Sequence, residues 1–222
     1  MAIGAHRFVP EAADVEKLRV AVGDCQGCDL FRDATQAVFS RGRADAPLVL
    51  VGEQPGDEED KAGLPFVGPA GRLLVNALRE VGIAPDSAYV TNVVKHFKFE
   101  LRGKRRIHQK PGPVEIGACR PWLLAEFARL RPKVVVALGA TAAQALVGGS
   151  FRVTRSRGVL MAWPGVSEYA EEFPVVDPPA QFLATLHPSA ILRADNQDEA
   201  YAGFRSDLAV VARVLAPPAA FA

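Results

Sequence analysis

The segment that decides the fold is residues 49–74, VLVGEQPGDEEDKAGLPFVGPAGRLL. An apolar run at residues 47–51 predicts a buried strand of a parallel sheet. It is followed by the loop GEQPG (52–56), an acidic turn (57–60) and a second glycine- and proline-containing loop (63–69). Ligands of open α/β sheets bind just beyond the carboxyl ends of the strands. A charged residue, an amide and an aromatic ring follow this strand, so we expect a pocket for a flat polar ring.

The rest of the chain alternates between strand patterns and helix patterns. The further strands are predicted at residues 89–94, 134–139 and 182–186. Apolar residues at helical spacing predict helices at residues 10–22, 70–81, 113–130, 141–146 and 198–215. This alternation indicates an α/β fold whose parallel sheet is covered on both faces. We expect one domain over residues 1–222, a three-layer α/β/α sandwich with a mostly parallel four-stranded sheet, and a frayed tail at residues 217–222.

Composition narrows the class of protein. The chain has 222 residues, 49% of them hydrophobic, which is enough for one full core. Its net charge of +1 means that any nucleic-acid surface must be local. No apolar stretch approaches the roughly 20 residues of a membrane span, and the N-terminus lacks the apolar segment of a signal peptide. We therefore expect a soluble, intracellular protein that does not bind membranes.

The three cysteines cannot form a closed set of disulfides. Cys25 and Cys28 form a C-x-x-C motif, and Cys119 lies far downstream. Spacing alone leaves two interpretations open: core thiols with one left over, or a metal or iron–sulfur site that needs a fourth ligand. A thioredoxin-type redox pair fits less well, because no strand precedes Cys25.

Polar side chains stand at the ends of three predicted strands. Glu53 and Gln54 follow the first, Asn92 lies near the end of the second, and His187 follows the fourth. Parallel strands bring these ends to one rim, so the side chains are expected to meet. The Asn92 amide offers a donor and an acceptor to a base edge, Phe66 offers a stacking surface, and His187 offers a donor for a carbonyl oxygen. Taken singly, the same residues fit a turn cap, a core ring and a loop histidine.

Residues 95–110 form a basic segment with a single acidic residue, Glu100. Phe97 and Phe99 are interleaved with its cations, which are Lys95, Lys98, Arg102, Lys104, Arg105, Arg106 and Lys110. Such a segment is typical either of a solvated charged surface or of one that binds a phosphate backbone. Its position directly after a strand with a site residue favours the second interpretation.

These motifs resemble the uracil-DNA glycosylase superfamily. The resemblance rests on GEQPG (52–56), PFVGPAGRLL (65–74), TNVVK (91–95) and HPS (187–189). Its iron–sulfur branch, family 4, is the most similar. Gln54 together with KRRIH at residues 104–108 resembles the UDGX branch, which becomes covalently joined to its DNA product.

The resemblance implies a role for each matching residue. The residues expected to contact uracil are Gln54, Asp57, Phe66, Asn92 and His187. The residues expected to contact DNA are Lys104, Arg105, Arg106 and Ser189. Cys25, Cys28 and Cys119 are expected to hold a structural 4Fe-4S cluster. Where family 4 has a cysteine after Val-Lys, this chain has His96, which we assign as the fourth ligand.

The resemblance also implies a reaction, with His108, Glu53 and His187 as catalytic residues. Uracil leaves as an anion while the sugar gains oxocarbenium character, and donors from His187 and Asn92 stabilise the leaving base. His108 then takes the position of water and bonds to C1′, kept neutral by the cations of residues 104–106. Glu53 either accepts the imidazole proton or stabilises the cationic sugar, and we favour the first.

Three classes of function therefore stay in view. The first is a glycosylase that ends as a covalent protein–DNA adduct. The second is an ordinary, multiple-turnover uracil-DNA glycosylase, and the third is a non-enzymatic iron–sulfur protein that binds nucleic acid. A nucleoside-triphosphate enzyme is poorly supported, because the glycine-rich loop lacks the Gly-Lys-Ser/Thr ending. We expect a monomer in a bacterial-type cytoplasm that acts at the nucleoid on uracil-containing DNA, preferably single-stranded.

Overall fold

The computed structural model describes residues 3–175 and 177–216. Its strands are β1 (Ser40–Arg41), β2 (Leu48–Gly52), β3 (Ala88–Asn92), β4 (Phe99–Arg102), β5 (Arg105–His108), β6 (Val134–Leu138), β7 (Met161–Trp163) and β8 (Ala180–Thr185). Its α-helices are α1 (Val15–Ala21), α2 (Asp57–Ala62), α3 (Pro69–Glu80), α4 (Pro113–Phe127), α5 (Ala140–Val147), α6 (Val153–Ser156), α7 (Pro188–Ile191) and α8 (Gln197–Leu215). The tail that we expect to be frayed lies outside the described residues.

The central sheet has the strand order β1-β3-β2-β6-β8-β7. Its four inner strands, β3, β2, β6 and β8, are parallel and are the four predicted strands. The edge strands β1 and β7 run antiparallel to their neighbours, so the sheet has six strands rather than four. The sequence did not predict these edges because two or three residues are too few to show an alternating pattern.

Helices cover both faces of the sheet, as predicted, and β2 shows how the sequence achieves this. All five residues of β2 are buried. Val49 and Val51 belong to the core beneath α1, α4 and α5, whereas Leu48 and Leu50 belong to the core beneath α3 and α8. Successive side chains of a strand point to opposite faces, so a continuous apolar run supplies both cores. The result is a three-layer α/β/α sandwich.

The basic segment is a β-hairpin rather than an irregular loop. Strands β4 and β5 pair antiparallel and form a two-stranded sheet of their own, with Phe99 opposite His108 and Arg102 opposite Arg105. Their exposed charged residues lack the apolar alternation that identifies a half-buried strand. The predicted acidic turn after β2 is likewise a helix, α2, which has Gly56 at its N-cap.

The short helices α6 and α7 were not predicted either, because four residues are too few to show a helical period. The other differences among the predicted helices and strands are boundary shifts. Helix α1 begins at Val15 instead of residue 10, because the Asp14 side chain accepts a hydrogen bond from Lys17 N at 2.8 Å and caps the helix there. Strand β3 ends at Asn92, after which Val93 N donates to O of Gly52, the last residue of β2, and Val94 N donates to O of Glu53, the residue that follows it. These two bonds tie the ends of β2 and β3 together and so bring their side chains to one rim. Within the described part of the chain, no helix combines the length and apolarity needed to cross a membrane.

Candidate active site

A cavity of about 880 Å³ opens at the carboxyl ends of the four parallel strands. Glu53 comes from the end of β2, Asn92 from β3, Leu138 from β6, and His187 from just beyond β8. The hairpin adds His108 to the same lining. The structure therefore brings the three residues predicted to be catalytic, Glu53, His108 and His187, from three separate segments into one cavity.

One wall of the cavity is built by Asn92 and Phe66. Asn92 is 1% exposed, and its side-chain Oδ1 is a buried oxygen without a hydrogen-bond partner among the described residues. A side-chain carbon at Gly52 would lie 2.3 Å from this oxygen and 2.7 Å from Phe66 Cζ. Phe66 has a φ of 56°, a left-handed conformation that is strained for a bulky residue. Strain and an unsatisfied oxygen at one wall indicate that it is arranged for a ligand rather than for stability.

His187 also lines the cavity, with its ring centroid 6.0 Å from that of Phe66. Ser189 N donates to its Nδ1 at 3.1 Å, and the Ser189 hydroxyl lies 2.8 Å from the same nitrogen. Burial lowers the pKa of His187 to about 4, and the charges of His108 and Arg193 act in the same direction. Since Nδ1 accepts a hydrogen bond, the proton of the neutral ring is on Nε2, which leaves an N–H donor. Ser189, which we expect to contact DNA, contacts His187 here.

The Glu53 carboxylate is held between two side chains. Its Oε2 accepts a short hydrogen bond from Thr141 Oγ1, and its Oε1 lies 3.5 Å from His108 Nε2. The His108 side chain is 49% exposed. Burial nevertheless lowers its pKa, an effect that Glu53 opposes and the positive charge of Arg193 reinforces. At neutral pH the structure therefore presents a neutral imidazole beside a carboxylate.

Thr141 and Arg193 are the residues that the sequence analysis missed. Thr141 appears there only as the start of a predicted helix, although it lies three residues beyond the end of β6, where the strand-end rule applies equally. Arg193 has no such signal, since it follows α7. It also corrects the expected cause of the His108 pKa shift, because the lowering charge comes from Arg193 rather than from the cations of residues 104–106.

Gln54 lines the cavity, but its side-chain amide is committed to the base of the hairpin. Nε2 donates to Lys98 O at 3.1 Å and to Gln109 O at 3.0 Å, and Lys98 N donates to Oε1 at 3.2 Å. Lys98 and Gln109 flank the hairpin on either side. The amide that we expect to contact uracil thus fixes the two ends of the segment that presents His108.

Arg106 attaches the hairpin to α2. Its guanidinium donates to Asp57 Oδ1 at 2.5 Å and to the fully buried Asp60 at 2.6 Å, and it lies over the rings of Phe97 and Phe99. The Arg106 side chain is 16% exposed. Two residues that we expect to contact DNA and uracil, Arg106 and Asp57, are therefore paired with each other. The other two cations of the motif, Lys104 and Arg105, are exposed.

Comparison with known proteins supplies the family. The family model described as "Uracil DNA glycosylase superfamily" matches residues 39–209, which include the cavity and the hairpin. The chain belongs to the uracil DNA glycosylase superfamily. This superfamily member is 39% identical to the type-4 uracil-DNA glycosylase of Thermotoga maritima over 173 residues, which cover 78% of this chain and 80% of the relative.

Two further relatives of this superfamily member are also type-4 uracil-DNA glycosylases. The type-4 uracil-DNA glycosylase of Sulfurisphaera tokodaii is 34% identical over 187 residues, 82% of this chain and 77% of the relative. That of Pyrobaculum aerophilum is 32% identical over 180 residues, 81% of this chain and 85% of the relative. The similarity thus extends over most of each protein.

Away from the cavity, this uracil DNA glycosylase superfamily member buries three free cysteines. Trp122 Nε1 donates to Cys25 Sγ at 3.1 Å, and Lys95 N donates to Cys119 Sγ at 3.3 Å. Burial raises the pKa of Cys28, and raises that of Cys119 to about 12. His96 is also buried. Across residues 3–175 and 177–216, no three or more His, Cys, Asp or Glu side chains are grouped closely enough to hold a metal ion.

Proposed function

We propose that this chain is a uracil-DNA glycosylase that becomes covalently linked, through His108, to C1′ of the abasic sugar that it produces. The observation that carries the proposal is the distance of 3.5 Å between His108 Nε2 and Glu53 Oε1, on the rim of a cavity that suits a pyrimidine. Burial lowers the pKa of this histidine, which favours its neutral, nucleophilic form. A nucleophilic side chain beside a base is the arrangement that covalent catalysis requires.

The cavity wall suits the edge and face of uracil. The unpartnered Oδ1 of Asn92 accepts the N3–H of the base, and its Nδ2 donates to an adjacent ring carbonyl. Phe66 receives the ring by stacking, once the nucleotide has been flipped out of the base stack. The neutral His187 donates from Nε2 to a carbonyl oxygen of the base.

Breaking the glycosidic bond separates two opposite charges. The electron pair of the N1–C1′ bond passes to uracil, and the sugar is left as an oxocarbenium ion. Donors on His187 and Asn92, already fixed by the fold, stabilise the uracil anion without reorganising. The cavity therefore accounts for base excision without any contribution from the hairpin.

The hairpin decides the fate of the sugar cation. One nitrogen of the neutral His108 ring gives its lone pair to C1′, and the proton on the other nitrogen passes to Glu53. Atoms and charges then balance: a C–N bond replaces the one that broke, and the carboxylate becomes a carboxylic acid. A low His108 pKa serves this step, because only the neutral ring has a lone pair.

A second candidate function follows from the relatives. These relatives are type-4 uracil-DNA glycosylases, which favours an ordinary multiple-turnover enzyme that releases free abasic DNA. In that case water, and not His108, adds to C1′ of the sugar, and the hairpin serves to bind DNA. The two candidates predict different products from the same substrate.

For DNA binding we propose the exposed cations at the turn of the hairpin, Lys104 and Arg105. Cations on a projecting hairpin reach phosphates beside the cavity and make binding depend on salt concentration. Arg106 contributes indirectly, by holding the hairpin against α2. We further propose that a monomer acts on uracil in single-stranded DNA, where no base pair opposes flipping.

A structural 4Fe-4S cluster held by Cys25, Cys28, Cys119 and His96 completes the proposal. Cysteine sulfur is the ligand that iron–sulfur clusters take, two of the three thiols accept N–H hydrogen bonds, and the charges of Cys25 and Cys28 act on Cys119. These side chains are not grouped for a metal ion in the described residues, so binding of the cluster would require them to move together. His96 follows Lys95, whose N–H donates to Cys119. The purified protein should be brown and should lose the colour in Cys119→Ala. Colourless wild-type protein prepared without air would count against the cluster.

The test of the main proposal is a denaturing gel of the protein incubated with single-stranded DNA that contains one uracil. We expect a heat-stable adduct with the wild type. His108→Ser should give no adduct but should retain base excision, and His6→Ser, an exposed histidine outside the cavity, should behave as the wild type. Free abasic DNA from the wild type supports the second candidate, and an adduct in His108→Ser removes His108 as the nucleophile.

A further inference from the structure

We propose that Thr141 is a positioning residue, which orients Glu53 towards His108 and so directs the sugar cation to the protein rather than to water. The inference rests on the proposed function and adds a residue to it. Thr141 is buried, lines the cavity, and donates its hydroxyl hydrogen to Glu53 Oε2.

The geometry divides the two oxygens of the carboxylate between two partners. With Oε2 held by Thr141, the other oxygen, Oε1, is the one that faces His108 Nε2 at 3.5 Å. Glutamate has three side-chain torsions, and its rotamer freedom is among the largest of the amino acids. The Thr141 hydroxyl, held by helix α5, restricts the Glu53 side chain so that its Oε1 stays where it can accept the proton of the His108 ring.

Thr141 is itself well fixed, because it lies in the first turn of α5, directly beyond β6. Its hydroxyl is not the cap of this helix, since the N-cap residue is Gly139 and no side chain caps there. Gly139 has a φ of 90°, and a side-chain carbon on it would lie 2.9 Å from His187 Cβ. This turn therefore meets two of the proposed catalytic residues. Gly139 lies against His187, which stabilises the leaving uracil, and Thr141 bonds to Glu53, which accepts the proton of His108.

This arrangement predicts a selective effect. Excision of the base depends on His187, Asn92 and Phe66, none of which Thr141 is observed to contact. Transfer of the sugar to His108 depends on the orientation of Glu53. Loss of the hydroxyl should therefore change the ratio of adduct to free abasic DNA more than it changes the rate of uracil release.

The experiment compares Thr141→Val, which keeps the shape, with Thr141→Ser, which keeps the hydroxyl. Under single turnover on single-stranded uracil DNA, we expect T141V to slow adduct formation about tenfold, as loss of a hydrogen bond to a charged group would. The rate of uracil release by T141V should stay within about twofold of the wild-type rate, because excision needs no contact with Thr141. T141S, which keeps the hydroxyl, should form the adduct as the wild type does. In a Glu53→Ala background, T141V should have no further effect on the ratio.

The outcomes separate this inference from the proposed function. If the wild type forms the adduct and T141V gives the wild-type ratio of products, the role of Thr141 is wrong and the proposed function stands. Equal losses of adduct and uracil release in T141V, with a lowered midpoint of urea unfolding, would mean that Thr141 is only structural. If the wild type yields only free abasic DNA, both proposals fall.

Discussion

Gly52 lies so close to Asn92 and Phe66 that one added methyl group is enough to test these contacts. In Gly52→Ala the new carbon would displace Asn92 Oδ1 or Phe66. We expect uracil release to fall by about a hundredfold, and the free energy of unfolding to fall by about 1–3 kcal/mol from overpacking. The measurements are single-turnover uracil release and urea unfolding.

The matched control for this change is Gly117→Ala in α4. A side-chain carbon there meets no atom within 4 Å, so activity should remain close to that of the wild type. The free energy of unfolding should rise by about 0.5–1 kcal/mol, because alanine is a better helix former than glycine. Near-normal uracil release in Gly52→Ala would contradict the tight wall between Asn92 and Phe66.

The protonation of His108 gives a second prediction at this scale. Burial and Arg193 lower its pKa, Glu53 opposes them, and His187 is the other titratable ring nearby. The nucleophilic neutral form should therefore persist below the ordinary histidine pKa of about 6.5. We expect the rate of adduct formation to be constant from about pH 8 down to that value and to fall on further acidification. A rate that rises as the pH falls through this range would contradict the neutral nucleophile.

The sequence identifies the residues of the site that follow a strand more readily than the residues that support them. Glu53, Asn92 and His187 are visible because the end of a parallel strand is a defined place in the fold. The sequence cannot show that Thr141 meets Glu53, since the two are far apart along the chain and meet only through packing of β2 beside β6. Similarly, the amide of Gln54 has partners that only the folded hairpin supplies.

The hairpin of β4 and β5 is the element whose attachment can be tested by itself. Arg106→Gln leaves the buried Asp60 without its cation, so we expect the free energy of unfolding to fall by about 3 kcal/mol. Adduct formation should fall by at least about tenfold, because His108 loses its fixed position, whereas uracil release should be largely retained.

Arg105→Gln is the control for this element, since Arg105 is exposed on the same hairpin. We expect it to leave the urea midpoint unchanged and to weaken the dependence of DNA binding on salt. Equal effects of the two substitutions on adduct formation would show that Arg106 acts as a general cation and not as an anchor.

The sequence predicts those strands and helices whose apolar residues form a continuous run or recur at a regular period, and it does not predict the others. The four parallel strands are continuous apolar runs, which identify themselves. The hairpin lacks a regular apolar pattern because its main packing contact is that of the Arg106 guanidinium with the rings of Phe97 and Phe99. Helix α2 is four acidic residues followed by Lys61 and Ala62, and its place is set by ion pairs with Arg106.

A buried ion pair links the segment that follows β3 to helix α4. Lys95 and Glu126 are both fully buried at 2.5 Å, and Lys95 Nζ also donates to Asn92 O. Removing one charge leaves the other unpaired, so Lys95→Met should lower the free energy of unfolding by about 3–5 kcal/mol. Adding Glu126→Met should recover most of the loss, as urea unfolding of the four proteins of a double-mutant cycle would show. A cost below about 1 kcal/mol for Lys95→Met alone would contradict this prediction.

The base of the hairpin has a consequence for engineering. Gln109 N donates to Lys98 O at 2.9 Å, so the chain returns to its starting point after β5. The segment between them is therefore a cassette, whose removal leaves two ends that a two-residue turn can join. Asn92, Phe66 and His187, to which we assign recognition of the base, are encoded outside this cassette. Under the proposed function, exchanging the cassette should therefore convert a protein that stays linked to the abasic sugar into one that excises uracil and releases the DNA.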